Sequence, residues 1–191
     1  MASLWQLSKT DSVLDLVTGT YIDHARNNII GRLEEPYLLF VDADMVFSQA
    51  NVVSLMTALA QDDEMGAVAA HYVKRAGNPV PVCNWQKDGE WLPDDERREW
   101  ADKCRGVVEV GCFGMGLTLC RGAAINDLEY PYMESGYRDG GYMSEDADFC
   151  FKLRAAGWKV AVHFDVRVGH MGEKMWEPEA QEEERIIHAV S

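Results

Sequence analysis

A chain of 191 residues has the length of one domain, or of one domain with an appendage. Hydrophobic residues make up 47% and aromatics 10%, which excludes a disordered chain, and a chain this long folds without a disulfide or metal staple. Lys plus Arg total 18 against 32 Asp plus Glu, a formal charge of −14 that makes nucleic acid and anionic membrane surfaces poor partners.

In chain order, Ser12–Val17 reads as a short strand. From Tyr21 to Leu33 the apolar Ile22, Ile29, Ile30 and Leu33 approximate helical spacing, and Pro36 marks a boundary. Tyr37-Leu38-Leu39-Phe40-Val41 is a continuous apolar run ending in Asp-Ala-Asp, the pattern of a strand buried on both faces in a parallel sheet. Val52, Leu55, Met56 and Leu59 mark an amphipathic helix. Gly66–Val73 reads as the next strand. This alternation of strands and helices predicts an α/β sheet.

Residues 74–106 break the pattern with three prolines and three tryptophans, and read as an inserted loop or hairpin region with one short helix. Residues 88–102 carry a net charge of −5, the signature of a solvated face. Val107–Val110 resumes as a strand and runs into Gly111-Cys-Phe-Gly-Met-Gly116. Those glycines lack the GxGxxG spacing and predict a bend, or a close approach of backbone to a ligand. Residues 130–143 form a loop rich in Tyr and Gly. Its rings offer flat faces for a sugar, and its glycines would let it close over a bound donor. Ser144 is placed to cap a helix over Glu145–Ala156, with Gly157 at its C-terminal end. Lys159–Val166 alternates as a strand and leads to Gly169-His170. A tail over 173–191, with net −4 across 173–185, predicts an acidic surface helix.

Five cysteines without CxxC spacing, and no basic-then-apolar leader at the N-terminus, predict reduced thiols in a cytoplasmic protein. The longest uncharged stretch, Met45 to Gln61, is too short and too polar to span a bilayer.

Asp42 and Asp44 carry the sharpest chemical signal. A buried strand delivers them at its C-terminal end, where open α/β sheets bind ligands. Alternation points both carboxylates the same way, and two close carboxylates repel unless a cation sits between them. Mg²⁺ and Mn²⁺ seek such oxygen ligands together with substrate phosphates. The bland account is a pair of solvated acids before a helix. His170 follows another strand end, and completes a metal site with Asp44 if the two strands share a sheet. His24, His71, His163 and His188 read as structural. Glu145 and Asp146 open a helix, where the dipole stabilises acids. One of them facing a cleft serves equally as a general base, and position alone does not choose between them.

The order of these motifs resembles the GT-A-fold nucleotide-sugar glycosyltransferases, closest to the family 2-like bacterial and phage enzymes. Four stretches carry the likeness: Ile22-Asp-His-Ala-Arg-Asn27; Leu38-Leu-Phe-Val-Asp-Ala-Asp-Met45; Val110-Gly-Cys-Phe-Gly-Met-Gly-Leu117; and Ser144-Glu-Asp-Ala-Asp-Phe-Cys-Phe-Lys-Leu-Arg-Ala-Ala-Gly157 with Val168-Gly-His170. The resemblance implies a mostly parallel Rossmann-like sheet flanked by helices, in one catalytic domain over 1–172, without the family's usual first strand. It implies a metal-dependent transfer of a sugar, hexosyl in type, from a nucleoside-diphosphate sugar to a carbohydrate or other hydroxyl acceptor. Asp44 and His170 would hold Mn²⁺ or Mg²⁺. Asp42 would touch the donor ribose or the metal shell, Arg26 would lie near the donor nucleotide, and Asp146 of the acidic pair would be the acceptor's base. A homo-oligomer is compatible with this reading. The alternatives are a non-catalytic sugar-nucleotide-binding or assembly protein of the same fold, and a metal-dependent nucleotidyltransferase.

Overall fold

The computed structural model describes residues 21–75, 79–87, 90–138, 141–172 and 175–176. The strand expected at Ser12–Val17 and the tail helix expected after Pro178 lie outside the described residues.

Helix α1 (Ile22–Ile30) leads into strand β1 (Tyr37–Val41), the two-residue β2 (Met45–Val46), helix α2 (Gln49–Ala60) and strand β3 (Met65–His71). Next come the short strands β4 (Cys83–Asn84), β5 (Gln86–Lys87) and β6 (Glu90–Trp91), helix α3 (Asp94–Lys103), and strands β7 (Val107–Glu109), β8 (Cys112–Phe113) and β9 (Leu117–Arg121). Helix α4 (Gly122–Asn126), the hairpin β10 (Gly136–Arg138) and β11 (Gly141–Met143), helix α5 (Glu145–Ala155), and strands β12 (Lys159–Arg167), β13 (Gly169–Met171) and β14 (Met175–Trp176) complete it.

The central sheet has the order β1-β9-β3-β12-β7. β1, β3 and β12 run one way, whereas β9 and β7 run the other, so β3–β12 is the single parallel neighbour pair in this sheet. The expected parallel sheet is therefore a mixed one. The reason is β9, a strand that the glycine-flanked Leu117–Arg121 did not announce and that sits between β1 and β3. Alternation divides the sheet between two cores. Phe40, Ala67, Ala69, Cys120, Val160, Val162 and Phe164 face the side carrying Phe149 and Leu153 of α5. Val68, Ala70, Leu117, Leu119 and Ala161 face Val52, Leu55 and Leu59 of α2. β3 is buried along its whole length, which is why it reads as a continuous apolar run. β1 differs from expectation: only Phe40 is fully buried, because β1 has a sheet neighbour on one side only among the described residues.

Gly157 ends α5 at φ +93°, as expected, and α2 opens on Ser48, which exchanges bonds with Asn51 in a capping box. Ser144 precedes α5 without capping it, since its hydroxyl bonds Asp146, whose Oδ1 accepts the Ala147 N–H at 2.8 Å. The five cysteines are unpaired; Cys83, Cys120 and Cys150 are buried. No described helix is long and apolar enough to cross a membrane.

Candidate functional site

The site gathers where β1, β3, β13 and the start of α5 meet. Gly116 ties two of these together: its carbonyl accepts the Asp42 N–H at 2.9 Å, and its N–H donates to the Tyr72 hydroxyl at 3.0 Å. A Cβ on Gly114 or Gly116 would lie within 2.4 or 2.8 Å of Tyr72 atoms. The glycines thus give close approach, as expected, but to Tyr72.

Arg26 of α1 reaches across the end of β1. Its Nη2 donates to Asp42 Oδ1 at 2.8 Å and its Nη1 to Glu145 Oε1 at 2.7 Å. Its side chain is 6% exposed, so this buried guanidinium holds the half-buried Glu145 and the 37%-exposed Asp42 together. Burial raises the Glu145 carboxyl above its ordinary value, the neighbouring Asp146 adds to the rise, and Arg26 opposes it. Asn27, the next residue, anchors the chain ahead of the β10–β11 hairpin. Its Nδ2 donates to the Met133 carbonyl at 2.6 Å and its Oδ1 accepts the Tyr132 N–H at 2.8 Å.

Asp44 and His170 meet separately. β13 pairs antiparallel with β2, opposing His170 to Met45, and the Met171 N–H donates to the Asp44 carbonyl at 2.8 Å. This pairing lies in a small three-stranded sheet of β14, β13 and β2, while the strands that lead into it, β1 and β12, share the central sheet, the condition that the sequence set. His170 Nδ1 lies 2.9 Å from the Val73 carbonyl oxygen. A carbonyl only accepts, so Nδ1 carries a proton and Nε2 is the ring nitrogen turned toward Asp44. Nε2 is 3.4 Å from Asp44 Oδ2. The same oxygen receives Arg75 Nη1 at 2.9 Å. The Tyr72 ring stands edge-on to His170 with centroids 5.4 Å apart.

A divalent cation fits this pair on two counts. A metal-binding histidine donates its other N–H to a carbonyl or carboxylate, as His170 does to Val73. The 3.4 Å separation is close to the roughly 3 Å between neighbouring ligands on a six-coordinate ion. Among the described residues, no three His, Cys, Asp or Glu side chains cluster closely enough to hold an ion by themselves. Asp42 is drawn to Arg26 instead. An ion on Asp44 and His170 would take its other ligands from water and substrate oxygens.

The expected loop over 130–143 is in part a hairpin with an anchored base. Buried Asp148 accepts from Arg138 Nη1 at 2.6 Å and from the Glu134 N–H at 2.9 Å, and pairs with Lys152 at 2.8 Å. Tyr137 and Tyr142 stand exposed on it, their rings 5.6 Å apart at 71°. His71, buried against Phe164, has no hydrogen-bond partner at Nδ1; burial pushes it down to about 4 and keeps it neutral. Its role is structural, as expected, while His188 lies outside the described residues. Sequence reasoning missed Tyr72 and Arg75. Tyr72 sat inside an apolar strand run and Arg75 inside the inserted segment, and neither position carried a motif.

No family model matches the chain, and no curated protein does. Solved structures do. The crystal structure of A197 from STIV matches with a TM-score of 0.56 at 13% identity, over 86% of this chain and 80% of that one. The crystal structure of GalNAc-T7 with UDP, GalNAc and Mn²⁺ matches with a TM-score of 0.52 at 15% identity, over 79% of this chain and 30% of that one. The chain therefore spans under a third of the GalNAc-T7 chain. These likenesses establish the fold: an α/β architecture of the GT-A kind, a central sheet flanked by helices.

Proposed function

We propose that this chain is a metal-dependent glycosyltransferase that moves a hexosyl group from a nucleoside-diphosphate sugar to an acceptor hydroxyl. The observation that carries the reading is the Asp44–His170 pair: a carboxylate 3.4 Å from the Nε2 of an imidazole whose Nδ1 is held by the Val73 carbonyl, beyond the ends of β1 and β12 in a GT-A-type sheet. The GalNAc-T7 likeness supports it, because that structure holds UDP and Mn²⁺.

Asp44 and His170 would hold the ion, and the imidazole favours Mn²⁺ over the harder Mg²⁺. When bound, the ion neutralises the diphosphate leaving group. Asp42 stands beside the metal pair and keeps its orientation through Arg26. Arg26, expected near the donor nucleotide, serves as the brace between the donor-side Asp42 and the acceptor-side Glu145. Asp146 is the acceptor's base: its Oδ1 is engaged by Ser144 and Ala147, which fixes the carboxylate while leaving Oδ2 to take the hydroxyl proton. Tyr137 and Tyr142 offer ring faces to the acceptor sugar. We place the catalytic unit in residues 1–172, with 173–191 as an appended acidic tail, in a reducing, cytoplasmic setting.

The test is a panel of nucleotide sugars screened for thermal stabilisation with and without Mn²⁺. A matching donor at a hundredfold its Kd raises the melting temperature by roughly 5–10 °C, only with Mn²⁺ present and not in Asp44→Asn. Stabilisation that survives in Asp44→Asn or in chelator overturns the metal assignment. Binding without release of a nucleoside diphosphate in the presence of acceptors returns the protein to a non-catalytic binding role.

A further inference from the structure

Arg75 shares a single oxygen with the metal pair. Its Nη1 is 2.9 Å from Asp44 Oδ2, the atom that also faces His170 Nε2 at 3.4 Å. The same guanidinium nitrogen donates to the Met171 carbonyl at 3.1 Å, which seats the group over the β2–β13 pairing. The Arg75 side chain is 48% exposed, in contrast to the buried Arg26. Asp44 thus has a cation on it already, supplied by the chain.

A divalent ion on Asp44 Oδ2 and the Arg75 guanidinium exclude each other there. They would share one oxygen, and their like charges repel at contact distance. Displacement costs Arg75 little, since an exposed ion pair is weak and the long stem is free to turn through solvent. The displaced guanidinium then stands beside an ion whose remaining ligands are substrate oxygens. Its fork of donors matches phosphate oxygens in pairs.

We propose that Arg75 is an exchangeable counter-cation: it occupies Asp44 in the metal-free protein and moves to the donor's diphosphate when the divalent ion takes its place. The inference rests on the metal reading above and adds a diphosphate-binding residue to it. It predicts effects of opposite sign. Removing Arg75 removes the ion's competitor, so the ion alone binds more tightly. The same change removes a phosphate contact, so a diphosphate binds less tightly once the ion is in place.

The experiment uses the full chain, with Mn²⁺ alone followed by electron paramagnetic resonance, and inorganic pyrophosphate at saturating Mn²⁺ followed by calorimetry. Pyrophosphate probes the phosphate contact independently of nucleobase and sugar. In Arg75→Gln, Mn²⁺ alone binds about threefold more tightly and pyrophosphate about tenfold more weakly than in wild type. Lys74→Gln, the same charge change at the exposed neighbouring residue, separates contact from general electrostatics. Arg75→Lys keeps the charge, loses the paired donors and falls between wild type and Arg75→Gln for pyrophosphate. Changes of the same sign for both ligands in Arg75→Gln, or equal changes in Lys74→Gln, overturn the exchange while leaving the metal site standing. Wild type that binds no Mn²⁺ overturns both readings.

Discussion

Two arginines meet the Asp42–Asp44 segment in opposite ways. Arg26 is buried and divides itself between Asp42 and Glu145, residues that come from the end of β1 and the start of α5. Arg75 is half exposed and touches Asp44 beside the His170 imidazole. Burial decides what each is for. A buried guanidinium with two carboxylate partners has nowhere else to go, so it fixes geometry. An exposed one with a single carboxylate partner is replaceable, so the site beneath it stays open to a competing cation. Two acids separated by one residue can therefore belong to a rigid element and to an exchangeable one.

The largest effect that would sharpen this contrast lies in the acidic pair beside the clamp. Asp146→Asn should lower turnover by about 10³, some 4 kcal/mol of barrier, while nucleotide-sugar affinity stays within about twofold. The check is steady-state kinetics alongside donor titration. A dead Glu145→Gln beside an active Asp146→Asn would transfer the base role to the clamped carboxylate, and two active variants would reduce the pair to a helix start.

The next effect concerns stability. Arg26→Met strands the half-buried Glu145 and Asp42 without their counter-charge and should cost about 3–4 kcal/mol in urea unfolding. Arg75→Gln should cost under about 1 kcal/mol in the same experiment. Equal losses would break the distinction between brace and exchangeable cation.

A smaller effect arises from His71, a buried titratable group packed against Phe164. Burial depresses it to about 4 in the folded protein, and the unfolded imidazole has its ordinary value of 6.5. Above pH 6.5 both states are neutral and the group contributes no slope. Between 6.5 and 4 the unfolded chain binds a proton that the folded one refuses, so stability falls as pH falls, by up to about 3 kcal/mol at the lower end. His163 is lowered too, by burial, and acts in the same direction. Urea midpoints at pH 7, 5.5 and 4 should drop less steeply in His71→Leu than in wild type. At pH 5.5 the loss from His71 is about 1.4 kcal/mol.

What was legible in the sequence was local. The apolar run 37–41, the Asp-Ala-Asp at its end, the amphipathic spacing around Leu55 and the acid-to-base gradient of the 145–156 segment each reflect forces acting within a few residues. What stayed hidden was long-range or lacked periodicity. Arg26 meets Glu145 across 119 positions, and no local pattern announces such a bond. Leu117–Arg121 is buried on both faces, so it shows no alternation, and flanking glycines disguised it as a bend. Missing that strand turned a mixed sheet into an expected parallel one. Arg75 lay in an inserted segment with no periodicity to set its single charge apart.

The five unpaired cysteines have a practical consequence. Burial holds every one of their thiols above the ordinary value; Cys112 is pushed up to about 11, and Cys104 is raised as well. Alkylation and disulfide exchange proceed through the thiolate, which is scarce in all five at neutral pH. The native thiols are therefore slower toward maleimide reagents than an exposed thiol of ordinary acidity. A single cysteine introduced at an exposed hairpin position such as 137 or 142 would outcompete the native thiols, so a fluorophore or spin label can be placed there without first stripping the protein of its own sulfur.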